Sequence, residues 1–207
     1  VGQEGDGHMS YKIKIELFNE PLVNDTSAYP FIIGTLVITT PDGDETWTVD
    51  ASETIIWDSV RFTGNANIYY SDDGGIDEYE HLITTTSVAL GLESHAWTIP
   101  DAIGTNLKIK IVSASMPGVY AVSSGTFAIK GGFNITTPVG TDKWEVGSQH
   151  DLDWVTHGTI PAVDVFWNTN GGSWTQIAND YSNGYGYGDW TVTDAIGANT
   201  RIRVSNY

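Results

Sequence analysis

Five histidines, 26 Asp and Glu residues and no cysteine make up the reactive inventory of this 207-residue chain. Without a thiol there is no disulfide, no thiolate nucleophile and no Cys-ligated zinc. His8, His81, His95, His150 and His157 recur at no equivalent positions and show no metal-ligand spacing. Neither an H-E-x-x-H helix nor a G-x-S-x-G nucleophile elbow is present. Carboxylates are numerous enough for a glycosidase-like pair, but they lie in turn signals. Asp42 and Asp44 flank Gly43, while Asp72, Asp73, Asp77 and Glu78 crowd one hairpin. Oxygen-rich loops of this kind can hold Ca²⁺. Here no EF-hand spacing supports it, and Asn168-Thr169-Asn170 stands where the other copy has Ser71-Asp72-Asp73, so solvated turns are the better reading. Gly184-Tyr185-Gly186-Tyr187-Gly188 alternates like a phosphate loop without the basic or Ser/Thr ligand that would follow. The residues thus predict a non-enzyme with no catalytic site, no metal and no cofactor.

The elements that must position these groups follow from an internal repeat, which decides the architecture before any local reading. ITTP occurs at Ile38–Pro41 and Ile135–Pro138, an offset of 135 − 38 = 97, and the offset holds for Trp47 and Trp144 and for Trp57 and Trp154. Trp97–Ile111 matches Trp190–Val204 at 190 − 97 = 93, a four-residue deletion in the intervening loop. Tyr11–Pro21 matches Leu107–Pro117 at 107 − 11 = 96, which places Phe31 on Phe127. Within the complete copy, LVITT, ETWTVD, ETIIWDS, ANIYYS, EYEHLITTT, HAWTIP, LKIKIVSA and GTFAIK are β-branched or aromatic runs separated by turn clusters. No window keeps a helical period. Leu107, Ile109 and Ile111 alternate with Lys108 and Lys110, and Ile55 shares a face with Trp57, large enough to anchor a core between two sheets. The pattern predicts an all-β fold of tandem immunoglobulin-like Greek-key β-sandwiches. It predicts domains at 1-35 (closing strands of a preceding repeat), 36-132 (a complete repeat) and 133-207 (a repeat lacking its last strand).

The order ITTP, ETWTVDASETIIW, SDDGG, WTIPDA, LKIKIVSAS and SSGTFAI resembles the Ser/Thr-rich GPI-anchored-protein repeat of the yeast cell-wall type, which recurs in prokaryotic surface proteins. The likeness covers Val37–Ile129, Asn134–Tyr207 and Tyr11–Ile33. The Trp of the second strand and the approach to the sixth are also similar to fibronectin type III modules. The resemblance implies an immunoglobulin-like fold in a secreted, modular, cell-surface protein. It brings no catalytic residues, and the fold leaves function open.

The formal charge of −17 excludes nucleic acid, whose binding rests on Lys and Arg neutralising phosphates. No apolar stretch is long enough to insert in a membrane. Six of the nine bases, Lys12, Lys14, Lys108, Lys110, Arg201 and Arg203, fall on one strand in all three copies. They read either as a stripe meeting an acidic loop of a neighbour or, more plainly, as solubilising residues with cross-strand partners. Trp174, Tyr181, Tyr185, Tyr187 and Trp190 gather around a Gly-rich loop. Trp190 is expected in the core, and the tyrosines at an interface, in loop packing or, less favoured, on a sugar. Asn24 and Asn134 begin glycosylation sequons.

These features predict a segment of an extracellular filament, stalk or surface fibre whose partners are neighbouring repeats or copies of itself. The alternative is an adhesin or carbohydrate-binding module meeting a cell-surface glycan. Lys130–Asn134 reads as a linker with Gly131-Gly132 as its hinge and Phe133 at the junction. An excerpt from a longer array explains the out-of-phase ends most simply. The other possibility is that a neighbouring copy's N-terminal Tyr29–Ile33 supplies the strand missing from the last repeat.

Overall fold

β-Branched and aromatic residues crowd a helix but fit a pleated surface, and the computed structural model is built almost wholly of strands. It describes residues 11–206 except 30, 77, 85, 86 and 185. The strands are β1 (Lys14–Leu17), β2 (Glu20–Thr26), β3 (Thr35–Thr40), β4 (Thr46–Thr48), β5 (Ser52–Val60) and β6 (Asn65–Ser71). Next come β7 (His81–Leu82), β8 (Val88–Ala89), β9 (Ser94–Thr98), β10 (Gly104–Ser113), β11 (Tyr120–Val122) and β12 (Phe127–Lys130). The last six are β13 (Gly132–Thr137), β14 (Gln149–His157), β15 (Ala162–Thr169), β16 (Thr175–Ser182), β17 (Gly186–Thr191) and β18 (Thr200–Ser205). A single 3₁₀ turn, Leu90–Leu92, is the only helical element among the described residues. Both ITTP segments carry a cis Thr–Pro bond, at Pro41 and Pro138.

Two compact units divide the chain. One holds the described residues of Val1–Glu45, Thr54–Trp97 and Asn106–Phe127; the other comprises Thr46–Glu53, Thr98–Thr105 and the described part of Ala128–Tyr207. In the second unit β13–β14–β17 form one antiparallel sheet and β16–β15–β18 another. Leu152, Trp154, Ile160, Val163, Val165 and Trp190 form the buried core there. The first unit repeats these pairings: β3–β5–β9 in one sheet, and β10–β6–β7 in another with β11 beside β10. β4 and β12 pair in parallel, with Ile129 opposite Trp47. This is the immunoglobulin-like, all-β arrangement that the alternation predicts.

Faces follow the two-residue period. In β10 Leu107, Ile109 and Ile111 are fully buried, and Lys108 and Lys110 point the other way. In β5 Ile55 and Trp57 are buried while Ile56 faces out. Among the described residues of the run EYEHLITTT, the strand is the two-residue β7 rather than a long one. Glu78 and Tyr79 adopt left-handed φ of 63° and 66°, a turn that a ladder cannot include.

An indole buried in an apolar core must still find an acceptor for its N–H, and the two copies solve this differently. Trp57 Nε1 donates to the Leu90 carbonyl at 2.9 Å. Trp154 Nε1 donates to Asn183 Oδ1 at 3.0 Å, and Asn183 Nδ2 in turn donates to the Ile160 carbonyl at 2.7 Å. Trp57→Ala should therefore cost about 3–5 kcal/mol by cavity formation, and Asn183→Ala about 1–3 kcal/mol by orphaning buried polar groups. Urea unfolding should place the Asn183 effect on β14–β18 signals alone, a difference the near-identical Trp positions do not foretell.

Candidate functional site

Of the six bases predicted to form a stripe, Lys110 and Arg203 are engaged with rings of their own surface. Lys110 Nζ lies 5.2 Å from the Tyr79 and Tyr120 ring centroids. The Arg203 guanidinium is 4.3 Å from Phe166, its register partner across β15 and β18, and 4.7 Å from Trp174. Lys14 pairs with Glu16. A cation over an aromatic face gains about 0.5–1 kcal/mol at an exposed site. That attraction favours the plainer reading, in which the bases serve their own sheets.

In each acidic turn one carboxylate caps the turn's own backbone. Asp73 Oδ1 accepts from Ser71 Oγ at 2.7 Å, from Gly75 N at 3.1 Å and from Ile76 N at 2.8 Å, so the carboxylate organises the hairpin. Glu45 Oε1 and Oε2 accept from Asp42 N and Gly43 N, each at 3.0 Å. Asp77 lies outside the described residues. Among the described residues no group of three or more His, Asp or Glu could hold a metal ion. Near the same hairpin, burial and the Asp72 charge raise the Tyr70 phenol above its usual pKa, with the ring stacked on His81 at 4.5 Å.

Of the loop aromatics, Tyr181 and Tyr187 meet edge to face at 5.1 Å and pack against the second core, Trp190 is buried in it, and Trp174 lies half exposed under Arg203. Tyr185 lies outside the described residues.

Two arrangements remain that the residue types alone did not announce. The first joins the consecutive sequence repeats. His157 Nδ1 lies 2.9 Å from Asp50 Oδ2, and Thr159 Oγ1 donates to Asp101 Oδ2 at 2.5 Å. A Cβ at Gly131 would lie 2.5 Å from Ile160 Cδ1 and 2.9 Å from the His157 carbonyl. Gly158, at φ +84°, would bring its Cβ within 3.0–3.1 Å of Val49, Asp101 and Ile103. Gly131 is thus a close-approach residue rather than the hinge its sequence suggests, and Phe133 packs against the second core. No sequence pattern links Asp50, Asp101, His157 and Thr159; only the fold brings them together. The Thr159 side-chain hydrogen bond, helped by its backbone N–H and opposed by slight desolvation, holds the Asp101 carboxyl below the usual carboxylate range.

The second arrangement is an open groove of about 1060 Å³ in the second sandwich. Trp144, Trp167 and Trp190 line it, with Ile135, Ile202 and Arg201 along its sides. Trp190 lies 6.1 Å from Trp144 and 6.0 Å from Trp167, and Trp144 stacks flat on His150 at 4.2 Å. Ser148 Oγ is 3.0 Å from His150 Nε2. The indoles form an aromatic floor, and Asp142, Lys143, Thr193, Thr200 and Arg201 bring polar groups to the same groove, a mixture that suits ligand binding. The partial exposure of Trp144 and Ile202 is the signal that their sequence counterparts Trp47 and Ile109, both buried, do not share.

No family profile matches the chain. No curated protein matches it either. Among solved structures it is similar to the fibronectin(III)-like modules of Clostridium thermocellum CbhA, at 16% identity over 82% of this chain and 84% of that one, with a TM-score of 0.29. A superposition that loose leaves the strand pairings themselves as the basis of the fold assignment. No helix among the described residues is long and apolar enough to cross a membrane.

The sign of the Asp101 effect makes a test. A depressed carboxylate pKa stabilises the folded state above the unfolded pKa, and the gain is lost as pH falls through the folded value. In Thr159→Val the Asp101 pKa should rise toward the ordinary carboxylate range, as read by carboxyl NMR titration. The variant's unfolding free energy should then fall less between about pH 4 and pH 2 than that of the unmodified chain.

Proposed function

We propose that the chain is a segment of an extracellular structural protein, a cell-surface filament, stalk or fibre built of tandem immunoglobulin-like repeats. Its repeats run 1-35, 36-132 and 133-207, and its partners are neighbouring repeats or further copies of itself. The observation that carries this reading is the junction. A flexible string of binding modules needs no fit between neighbours, whereas a load-bearing array gains stability from nearest-neighbour interfaces. Here two glycines permit a close approach that any side chain would block, and the His157–Asp50 and Thr159–Asp101 contacts lie beside it. The sequence likeness to Ser/Thr-rich GPI-anchored-protein repeats supports a surface location. A charge of −17 fits a coat that keeps neighbouring copies dispersed. The acidic groups and bases described above serve turns and sheet faces, which supports a non-catalytic role.

The groove of Trp144, Trp167 and Trp190 favours a second reading, an adhesin or carbohydrate-binding module that stacks sugar rings on indoles. A glycan array separates the two: hits lost on Trp144→Ala would support glycan binding, and a blank array supports the structural reading.

The junction makes the sharper test. ¹⁵N relaxation of the whole chain should give one rotational correlation time for amides of β4 and of β14–β15, which lie in one compact unit. Gly131→Val, which costs about 1–3 kcal/mol through overpacking, should split them into two. Two correlation times in the unmodified chain would sink the structural reading.

A further inference from the structure

Asn-Gly occurs twice in the chain, at Asn170-Gly171 and Asn183-Gly184, and the structure uses the two pairs differently. Asn170 and Gly171 are the central residues of a tight turn after β15. Both have left-handed φ, 53° and 74°, and the Gly172 N–H donates to the Thr169 carbonyl at 2.9 Å. A type I′ turn asks for Asn-Gly at those two places, so local geometry accounts for that pair.

No such demand exists at the second pair. Gly184 is exposed, its φ lies outside the left-handed region, and a Cβ there would meet no described residue within 4 Å. Asn183, by contrast, is held on every side. Its Oδ1 accepts from Trp154 Nε1 at 3.0 Å and from Thr156 Oγ1 at 3.2 Å. Its Nδ2 lies 3.1 Å from Thr156 Oγ1 and donates to the Ile160 carbonyl at 2.7 Å. Its backbone N–H donates to the Pro161 carbonyl at 2.9 Å. The amide that serves the buried indole is thus followed by glycine, the residue whose backbone nitrogen is least shielded by a side chain. At the offset of 93 the first sandwich has Leu90-Gly91 in this place (183 − 93 = 90). There a backbone carbonyl serves Trp57, and no side-chain amide is at risk.

We propose that Asn183-Gly184 is a self-modification site gated by opening of the second sandwich. The chemistry needs only water. The Gly184 backbone nitrogen loses its proton to solvent and attacks Asn183 Cγ. The Cγ–Nδ2 bond breaks, Nδ2 leaves as ammonia, and a five-membered succinimide forms. Water then adds to either imide carbonyl and breaks one C–N bond. The product is Asp or its β-linked isomer at 183, with no change of oxidation state. In the closed sandwich the hydrogen bonds to Trp154, Thr156 and Ile160 keep Cγ from swinging onto the Gly184 nitrogen. Local opening releases it, and where reclosing outpaces cyclisation the rate follows the open population. After reaction Nδ2 is gone, and a carboxylate oxygen faces the Ile160 carbonyl with no donor between them. A reversible opening thereby becomes a permanent loss of the bridge from Trp154 to Ile160. The inference holds for a structural or an adhesive chain alike, since it concerns only the second core.

The test incubates the full chain at mildly alkaline pH, folded and in denaturing urea, and follows residue 183 by peptide mass spectrometry. In urea Asn183 should convert to Asp and isoaspartate. In the folded chain it should convert about tenfold or more slowly, an opening cost of at least 1.4 kcal/mol. Val165→Ala removes core methyl groups without touching the Asn183 hydrogen bonds. It should speed conversion in the folded chain by the factor that its lost stability dictates. Urea below the unfolding transition should do the same for the unmodified chain. Gly184→Ala, whose Cβ finds open space, should fold normally and convert in urea about tenfold or more slowly, 1.4 kcal/mol of added barrier. Asn183→Asp should unfold the second sandwich at lower urea. Equal rates in the folded and unfolded chain, no conversion in urea, a Gly184→Ala rate unchanged in urea, or full stability in Asn183→Asp would each overturn the proposal.

Discussion

Burial of a tryptophan between two sheets is the constraint on which the rest of this structure depends. Trp57 is wholly buried and Trp154 nearly so. Each contributes on the order of 3 kcal/mol or more by area, provided that its indole N–H is satisfied. That proviso shapes the surroundings. It sets the Leu90 carbonyl over one indole, at the start of the 3₁₀ turn, and Asn183 over the other, at the end of β16. Flanking β-branched residues then fill the intersheet space, and their strict alternation leaves the opposite faces free for Lys, Arg and Thr.

The same alternation explains why so few charged groups are available for chemistry. A sheet face offers a cation its nearest partners across the strand, and Lys110 and Arg203 find aromatic rings there. The hairpins and turns offer carboxylates unpaired backbone N–H groups, and Asp73 and Glu45 take them. Asp73, counted as a candidate ligand in the sequence, thus acts as a structural acceptor. Two shapes stand apart from these groups: the close approach at Gly131 and Gly158 and the groove lined by Trp144, Trp167 and Trp190.

Much of the fold was legible because it is carried by periodicity and repetition. The two-residue alternation marked β5 and β10, and the matched Trp, Gly and ITTP positions marked the repeats. Trp190 was legible as a core residue from its match to Trp97. The run before His81 was not, since the left-handed turn at Glu78 and Tyr79 overrides its β propensity. Gly131 read as a hinge because glycine in sequence signals freedom, although here the missing side chain is needed for contact. The Asp50–His157 pair joins residues 157 − 50 = 107 positions apart with no shared motif, so nothing local could have disclosed it.

The amino-acid order alone determined the all-β class, the inward and outward faces of β5 and β10 and the acidic, cysteine-free character of the chain. These depend on side-chain period and composition, which are local properties. Only the tertiary structure decided which acceptor satisfies each buried indole, which glycines are crowded and which of two equivalent tryptophan clusters is open. Trp47 and Trp144 hold equivalent positions, yet one is buried and the other partly exposed. Ile129 of β12 lies opposite Trp47, since burial belongs to a neighbourhood and not to a residue.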